Sequence, residues 1–195
     1  MESRRASARR PSAGSGLDLA VLVVLFVASL GVHWQYARAV VLPPSDASAF
    51  YLTTAANAVE GRGLEVDVLW SYQVLFPNVT HPSHEHWMPL TTGLIAVAYA
   101  IQRAVTGVLE PMLQTGQMPG LIVGSLLAPL TYLFGLRVMP QGRGNRWVSL
   151  GAALLVVVNA TLSYQSASAD SSAIYALVAF GALAVAVRRP GEQGG

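Results

Sequence analysis

Long apolar runs alternate with short polar breaks along the chain, and the titratable residues collect in the breaks. The apolar runs are Leu17–Leu42, Met88–Leu109, Pro119–Met139, Trp147–Tyr164 and Ser171–Val187. A helix crosses a bilayer with about 20 mostly apolar residues, which makes each run a candidate span. The longest polar stretch, 43–87, follows the first run. Pro43-Pro44 ends that run and Ser45-Asp46 offers a helix start. A helix is expected over Ala47–Glu60, stopped by Gly61 and Gly63. Leu64–Phe76, rich in β-branched and aromatic residues, reads as extended, and Pro77–Pro82 reads as a turn.

Composition sets the class. The 195 residues are 53% hydrophobic and 11% charged, against about 25% charged in soluble domains. Mean hydropathy is +0.47. The expected fold is therefore all-α and polytopic, a membrane protein in contact with lipid. Every basic residue is an arginine, scattered without aromatic interleaving, which argues against nucleic acid as a partner. With no cysteine, disulfides and thiolate chemistry are excluded, leaving histidine, carboxylate and hydroxyl groups.

Charge decides between topologies. If all five runs crossed from an inside N-terminus, Arg143, Arg146, Arg188 and Arg189 would lie outside, against the positive-inside tendency. Placing Met88–Leu109 flat on the outer interface returns them all to the inside. Thr91, Thr92, Gln102 and Arg103 suit such an interfacial helix better than a spanning one. Four spans result. The division is a disordered basic tail (1–16), a membrane domain (17–189) and a flexible tail (190–195). Within the membrane domain, 17–42 is the first span, 43–118 an outer loop with juxtamembrane helices, and 119–139, 147–164 and 171–187 the later spans. A cleaved signal peptide ending near Ala37-Arg38-Ala39 is the competing reading of the first run, and its length favours a span. This topology puts Asp46, Glu60, Glu65, Asp67, His81, His84, Glu85, His86 and Asp170 on the outer face.

Each candidate has a plain reading beside a chemical one. Asp46 is either a helix-start residue or a carboxylate held at the membrane face as general base. Asp170 closes the polar run Ser163–Asp170 between two spans and is either another helix start or a second outer acid. His81-Pro82-Ser83-His84-Glu85-His86-Trp87 carries three of the four histidines. His81, His84 and Glu85 are candidate ligands for a divalent metal, although their spacing matches no compact zinc motif. The plain reading is a solvated loop lining a cleft. Trp70, Trp87, Tyr51 and Tyr72 suit an interfacial aromatic belt. Asn78-Val79-Thr80 and Asn159-Ala160-Thr161 match a glycosylation sequon, and Gly120 and Gly124 form one G-x-x-x-G.

The order of Ser45-Asp46, Tyr51, Ala55, Gly61-Arg62-Gly63, His81-Pro82 and Pro89-Leu90 resembles the N-terminal region of the GT-C class of membrane glycosyltransferases. The nearest branch is the one with protein O-mannosyltransferases and aminoarabinose transferases. The resemblance runs over about residues 17–189 and rests on order and spacing. It implies transfer of a sugar from a polyprenyl-phosphate donor to an acceptor on the outer face of the plasma membrane. Asp46 would then be the catalytic base and Asp170 a second acid that orients the acceptor or shares a metal. Tyr51, His81, Glu85, His86 and Trp87 would line the substrate cleft. Two departures stand out. Ser83 replaces the usual second proline, and the chain is much shorter than family members, as expected of a fragment or truncated homologue. A small non-enzymatic membrane protein is the alternative.

Overall fold

Leu25, Ser29, His33 and Ala37 are spaced by four and all buried, giving the first helix one inward line. The computed structural model describes residues 14–66, 81–82, 88–110, 112–139 and 144–187. Of the expected tails, 1–16 and 190–195, all but residues 14–16 lie outside these residues, and those three open the first helix. Seven helices are described: α1 (Gly14–Ala39), α2 (Asp46–Val59), α3 (Pro89–Thr106), α4 (Met112–Val138), α5 (Asn145–Val157), α6 (Ala160–Ala167) and α7 (Ser172–Ala186). One antiparallel pair of two-residue strands joins them, β1 (Glu65–Val66) and β2 (His81–Pro82).

α1 and α4 run antiparallel. Asp18 near the start of α1 accepts a hydrogen bond from the Tyr132 hydroxyl near the end of α4 (3.0 Å). Further along, His33 meets Ser125 (3.1 Å), and Ala37 packs with Leu121. α5 starts where α1 starts, with Arg146 paired to Asp18 at 3.2 Å. α6 ends where α4 begins, because the Gln117 amide donates to the Ala167 carbonyl (2.8 Å). α7 then returns beside α4, with Phe180 edge-on to Phe134 at 5.5 Å.

Burial is inverted relative to a soluble bundle. Ser29, His33, Ser125, Ser149, Ser163 and Ser166 are fully buried, while Val23, Val24, Val27, Leu155, Val178 and Val185 are more than half exposed. Buried polar groups are the informative half of that contrast. Small polar residues inside and large apolar ones outside suit a protein surrounded by hydrocarbon. Among the described residues, α1 over Gly16–Ala39 and α4 are long and apolar enough to cross a membrane. The bent pair α5–α6 makes a third if it counts as one span. α7 has 15 residues, about 22 Å of helix, short of the roughly 30 Å hydrocarbon core.

Three boundaries differ from the sequence reading. α4 begins at Met112 rather than Pro119, and both Pro119 and Pro129 sit inside it. Proline marks a helix start in water, but helices packed in a bundle tolerate the lost hydrogen bond. The run Trp147–Tyr164 is broken, with α5 and α6 meeting at 51°. Asn159 makes the break: its side-chain oxygen accepts from the Leu162 N–H at 2.8 Å and starts α6. The polar run Ser163–Asp170 is helical as far as Ala167. Its hydroxyls donate to the preceding turn, Ser163 to Asn159 O (2.9 Å) and Ser168 to Tyr164 O (2.7 Å).

α2 and α3 form a layer against the start of α4. Phe50, Tyr51, Leu52, Ala55, Ala56, Val66, Ile95, Tyr99 and Ala169 make its core. α2 begins as expected, with Ser45 accepting from the Ser48 N–H at 3.2 Å, and Gly61 and Gly63 end it with φ of 84° and 78°. The polar residues of α3 are fasteners. Arg103 donates to Val59 O (3.1 Å), Gln102 to Glu110 O (2.8 Å) and Tyr99 to Met112 O (3.0 Å). The opposite face of α3 exposes Leu90, Val97, Ile101 and Val105.

Burial, and Glu110 nearby, push the Tyr99 phenol above its ordinary range. The folded layer therefore favours the protonated hydroxyl. That contribution is complete below the unfolded phenol value of about 10 and is lost as pH rises beyond it. Tyr99→Phe should cost roughly 1–2 kcal/mol by leaving the Met112 carbonyl unpaired. It should also remove this alkaline loss, as thermal unfolding in detergent against pH would show.

Candidate functional site at the α2–α3 end of the bundle

The first residue of α2 is Asp46, exposed, directly after the Ser45 cap. Both plain and chemical readings use that position, since the helix start favours an anion and leaves the carboxylate open to solvent. Asp170 precedes α7 and is half-buried, and its Oδ1 accepts from the Ser172 N–H at 2.8 Å. One oxygen is thus engaged in starting the helix. Before it, Ala169 takes a φ of 53°, an uncommon left-handed turn for a residue with a side chain. That turn tucks Ala169 into the α2–α3 core, against which Ala47 also packs. The chain neighbours of both acids are therefore anchored in one cluster.

Tyr51 is 1% exposed and stands inside the same cluster, edge-on to Phe50 at 6.0 Å. It belongs to the packing of the layer instead of to an aromatic belt, because it lies on the face of α2 turned toward α3. His81 is described through its backbone alone, and its strand pairs it with Val66, which is buried in that cluster. Asn57 holds β1 by donating to the Glu65 carbonyl at 2.9 Å. Asn57 lies about 16 Å along α2 from Asp46, so the strand pair that contains His81 is fastened near the far end of this helix. Pro77–Pro82, expected as a turn, ends in this strand pairing. Asp67, Trp70, Tyr72, His84, Glu85, His86 and Trp87 lie outside the described residues. Among the described residues no group of three His, Cys, Asp or Glu side chains could hold a metal ion. Glu60 is paired with Arg62 at 2.7 Å on the surface, an interaction of small energetic weight.

Two concavities border this end. An apolar groove of about 560 Å³ runs between α3 and α4, lined by Leu94, Val97, Ile101, Met118, Ile122 and Val123 among others. A smaller, more polar pocket of about 250 Å³ lies between α1 and α4, with Trp34, Arg38, Gln114 and Gln117 in its wall. Gln117 links this pocket to the Asp170 turn, because its amide holds the carbonyl of Ala167.

Two features escape the sequence reading. Asp18, the acid at the opposite end, joins Tyr132 and Arg146. His33, the histidine outside the loop run, is buried at mid-bundle. Its signal in the sequence is the i, i+4 line Leu25, Ser29, His33, Ala37, a periodicity easily lost inside a uniformly apolar run.

No family model, curated protein or solved structure matches the chain.

Proposed function

We propose that this chain is a GT-C-type membrane glycosyltransferase, or the N-terminal portion of one, acting on a polyprenyl-phosphate sugar. In this reading α1, α4 and the bent α5–α6 pair cross the membrane, the shorter α7 returns into it beside α4, and α2 and α3 lie on the outer face. Arg137, Arg143 and Arg146 then fall inside, as the positive-inside tendency asks. The observation that carries the proposal is the common anchorage of the two acids: Ala47 and Ala169 pack into one cluster and hold Asp46 and Asp170 at the same end of the bundle.

Asp46 takes the acceptor's proton as its nucleophile attacks the anomeric carbon, and the lipid phosphate departs with the bonding electrons. Arg38, in the wall of the polar pocket, supplies positive charge for that phosphate. The apolar groove between α3 and α4 accommodates the prenyl tail. Asp170 orients the acceptor with the oxygen not engaged by Ser172. The test is transfer in proteoliposomes given a labelled polyprenyl-phosphate sugar and a cell-envelope extract as acceptor. Label should leave the lipid fraction in a protein-dependent way. Complete retention of label with folded protein present contradicts transfer by this chain on its own.

One observation favours a second reading, a non-enzymatic membrane protein. Both acids also serve the architecture, Asp46 in the first turn of α2 and Asp170 through its bond to the Ser172 N–H. On that reading, asparagine at both positions leaves every cellular phenotype unchanged.

A further inference from the structure

The buried centre of the bundle holds a polar cluster with an unfinished hydrogen-bond pattern. Ser125 Oγ lies 2.6 Å from the Leu121 carbonyl oxygen. A carbonyl only accepts, so the single proton of this hydroxyl goes to Leu121. Ser125 Oγ is also 3.1 Å from His33 Nδ1. With the hydroxyl proton already engaged, the imidazole must be the donor, which places its proton on Nδ1. A charged imidazolium is costly in this interior, and the neutral ring leaves Nε2 as a bare acceptor.

Nε2 has no hydrogen-bond partner within the protein, and neither do Ser29 Oγ and Ser166 Oγ. All three residues are 0% exposed. Ser29 stands one helical turn before His33 on the same inward line, so their side chains are neighbours. Ser166 reaches in from α6, where its Oγ occupies the space a Cβ on Gly124 would take. That point is 3.3 Å from His33 Cε1, the ring carbon between Nδ1 and Nε2. One acceptor nitrogen and two hydroxyls therefore converge from α1 and α6, beside a glycine of α4. Buried polar atoms are almost always satisfied by protein or by ordered water.

The geometry points to a site for a single water molecule held by His33 Nε2, Ser29 Oγ and Ser166 Oγ. The water donates to Nε2 and shares hydrogen bonds with both hydroxyls, about the three bonds usual for a buried water. Gly124 is required because a side chain there would displace Ser166. The site joins α1, α4 and α6 beside the bond between Gln117 and Ala167, since Ser166 directly precedes Ala167. It thereby fixes the segment that leads to Asp170. This assignment does not depend on the proposed transferase activity.

The test is solid-state NMR of the full chain in lipid bilayers. Carbonyl-¹³C valine with ¹⁵N-histidine selects His33, since Val32-His33 is the one Val-His pair in the sequence. The expected result is protonated Nδ1, unprotonated and hydrogen-bonded Nε2, and magnetisation transfer from water to the ring. Ser166→Val should abolish that transfer. A proton found on Nε2 overturns the assignment, as does absent water transfer in the wild-type chain. Transfer that persists in Ser166→Val removes Ser166 from the site.

Discussion

Under the proposed function, Asp46→Asn should lower sugar transfer by roughly 100- to 10,000-fold, the range expected when a positioned general base is removed. The substitution separates chemistry from architecture because asparagine has the same shape and serves well at a helix start. The Ser45 cap, which accepts from the Ser48 N–H, is untouched. The structural cost is confined to the charge–dipole interaction at the start of α2, about 0.3–1 kcal/mol. Membrane insertion and thermal unfolding should therefore stay close to wild type while transfer collapses. Normal transfer by this variant removes Asp46 as the base. Equal loss of transfer and of folded protein assigns it to architecture.

Gly120→Ala should destabilise the bundle by about 2–3 kcal/mol, the upper part of the usual range for overpacking. A Cβ at position 120 would sit 2.5 Å from the Ser166 carbonyl oxygen. The neighbour is backbone, so no rotamer change relieves the contact, and α4 and α6 must move apart. That movement also strains the bond from Gln117 to Ala167. Gly151→Ala is the control: a Cβ there meets nothing within 4 Å, and alanine is the better helix former. Unfolding in detergent should rank Gly120→Ala well below wild type and Gly151→Ala at or above it. Equal stability of the two variants means that α4 and α6 are not in the contact described.

What the sequence makes legible depends on whether the usual signals keep their meaning in an apolar environment. The ends of α2 are readable because Ser45, Gly61 and Gly63 act through local backbone geometry that no environment alters. Gln102 and Arg103, which set 88–109 apart from the other apolar runs in the sequence, reach neighbouring carbonyls in the structure. Signals tied to water fail. Pro119 looks like a boundary and lies inside α4, and the serine-rich stretch before Asp170 looks like a loop and is buried helix. Inside this bundle the polar residues face inward, so the familiar rule runs backwards. The same reversal hides His33, while Asp46 and Asp170 are visible because they sit at helix starts.

The central claim is that Asp46 and Asp170 share one membrane face, opposite the face that carries Asp18 and Arg146. The chain contains no cysteine, so single-cysteine variants can be read without background. Cysteine at Asp46, Arg103, Gly144 and Asp170, probed with a membrane-impermeant maleimide in sealed vesicles, tests the claim directly. Labelling of positions 46, 103 and 170 from one side, with 144 reached from the other, is the predicted result. Labelling of 144 together with 170, or of 46 and 170 from opposite sides, contradicts the shared face and the site built on it.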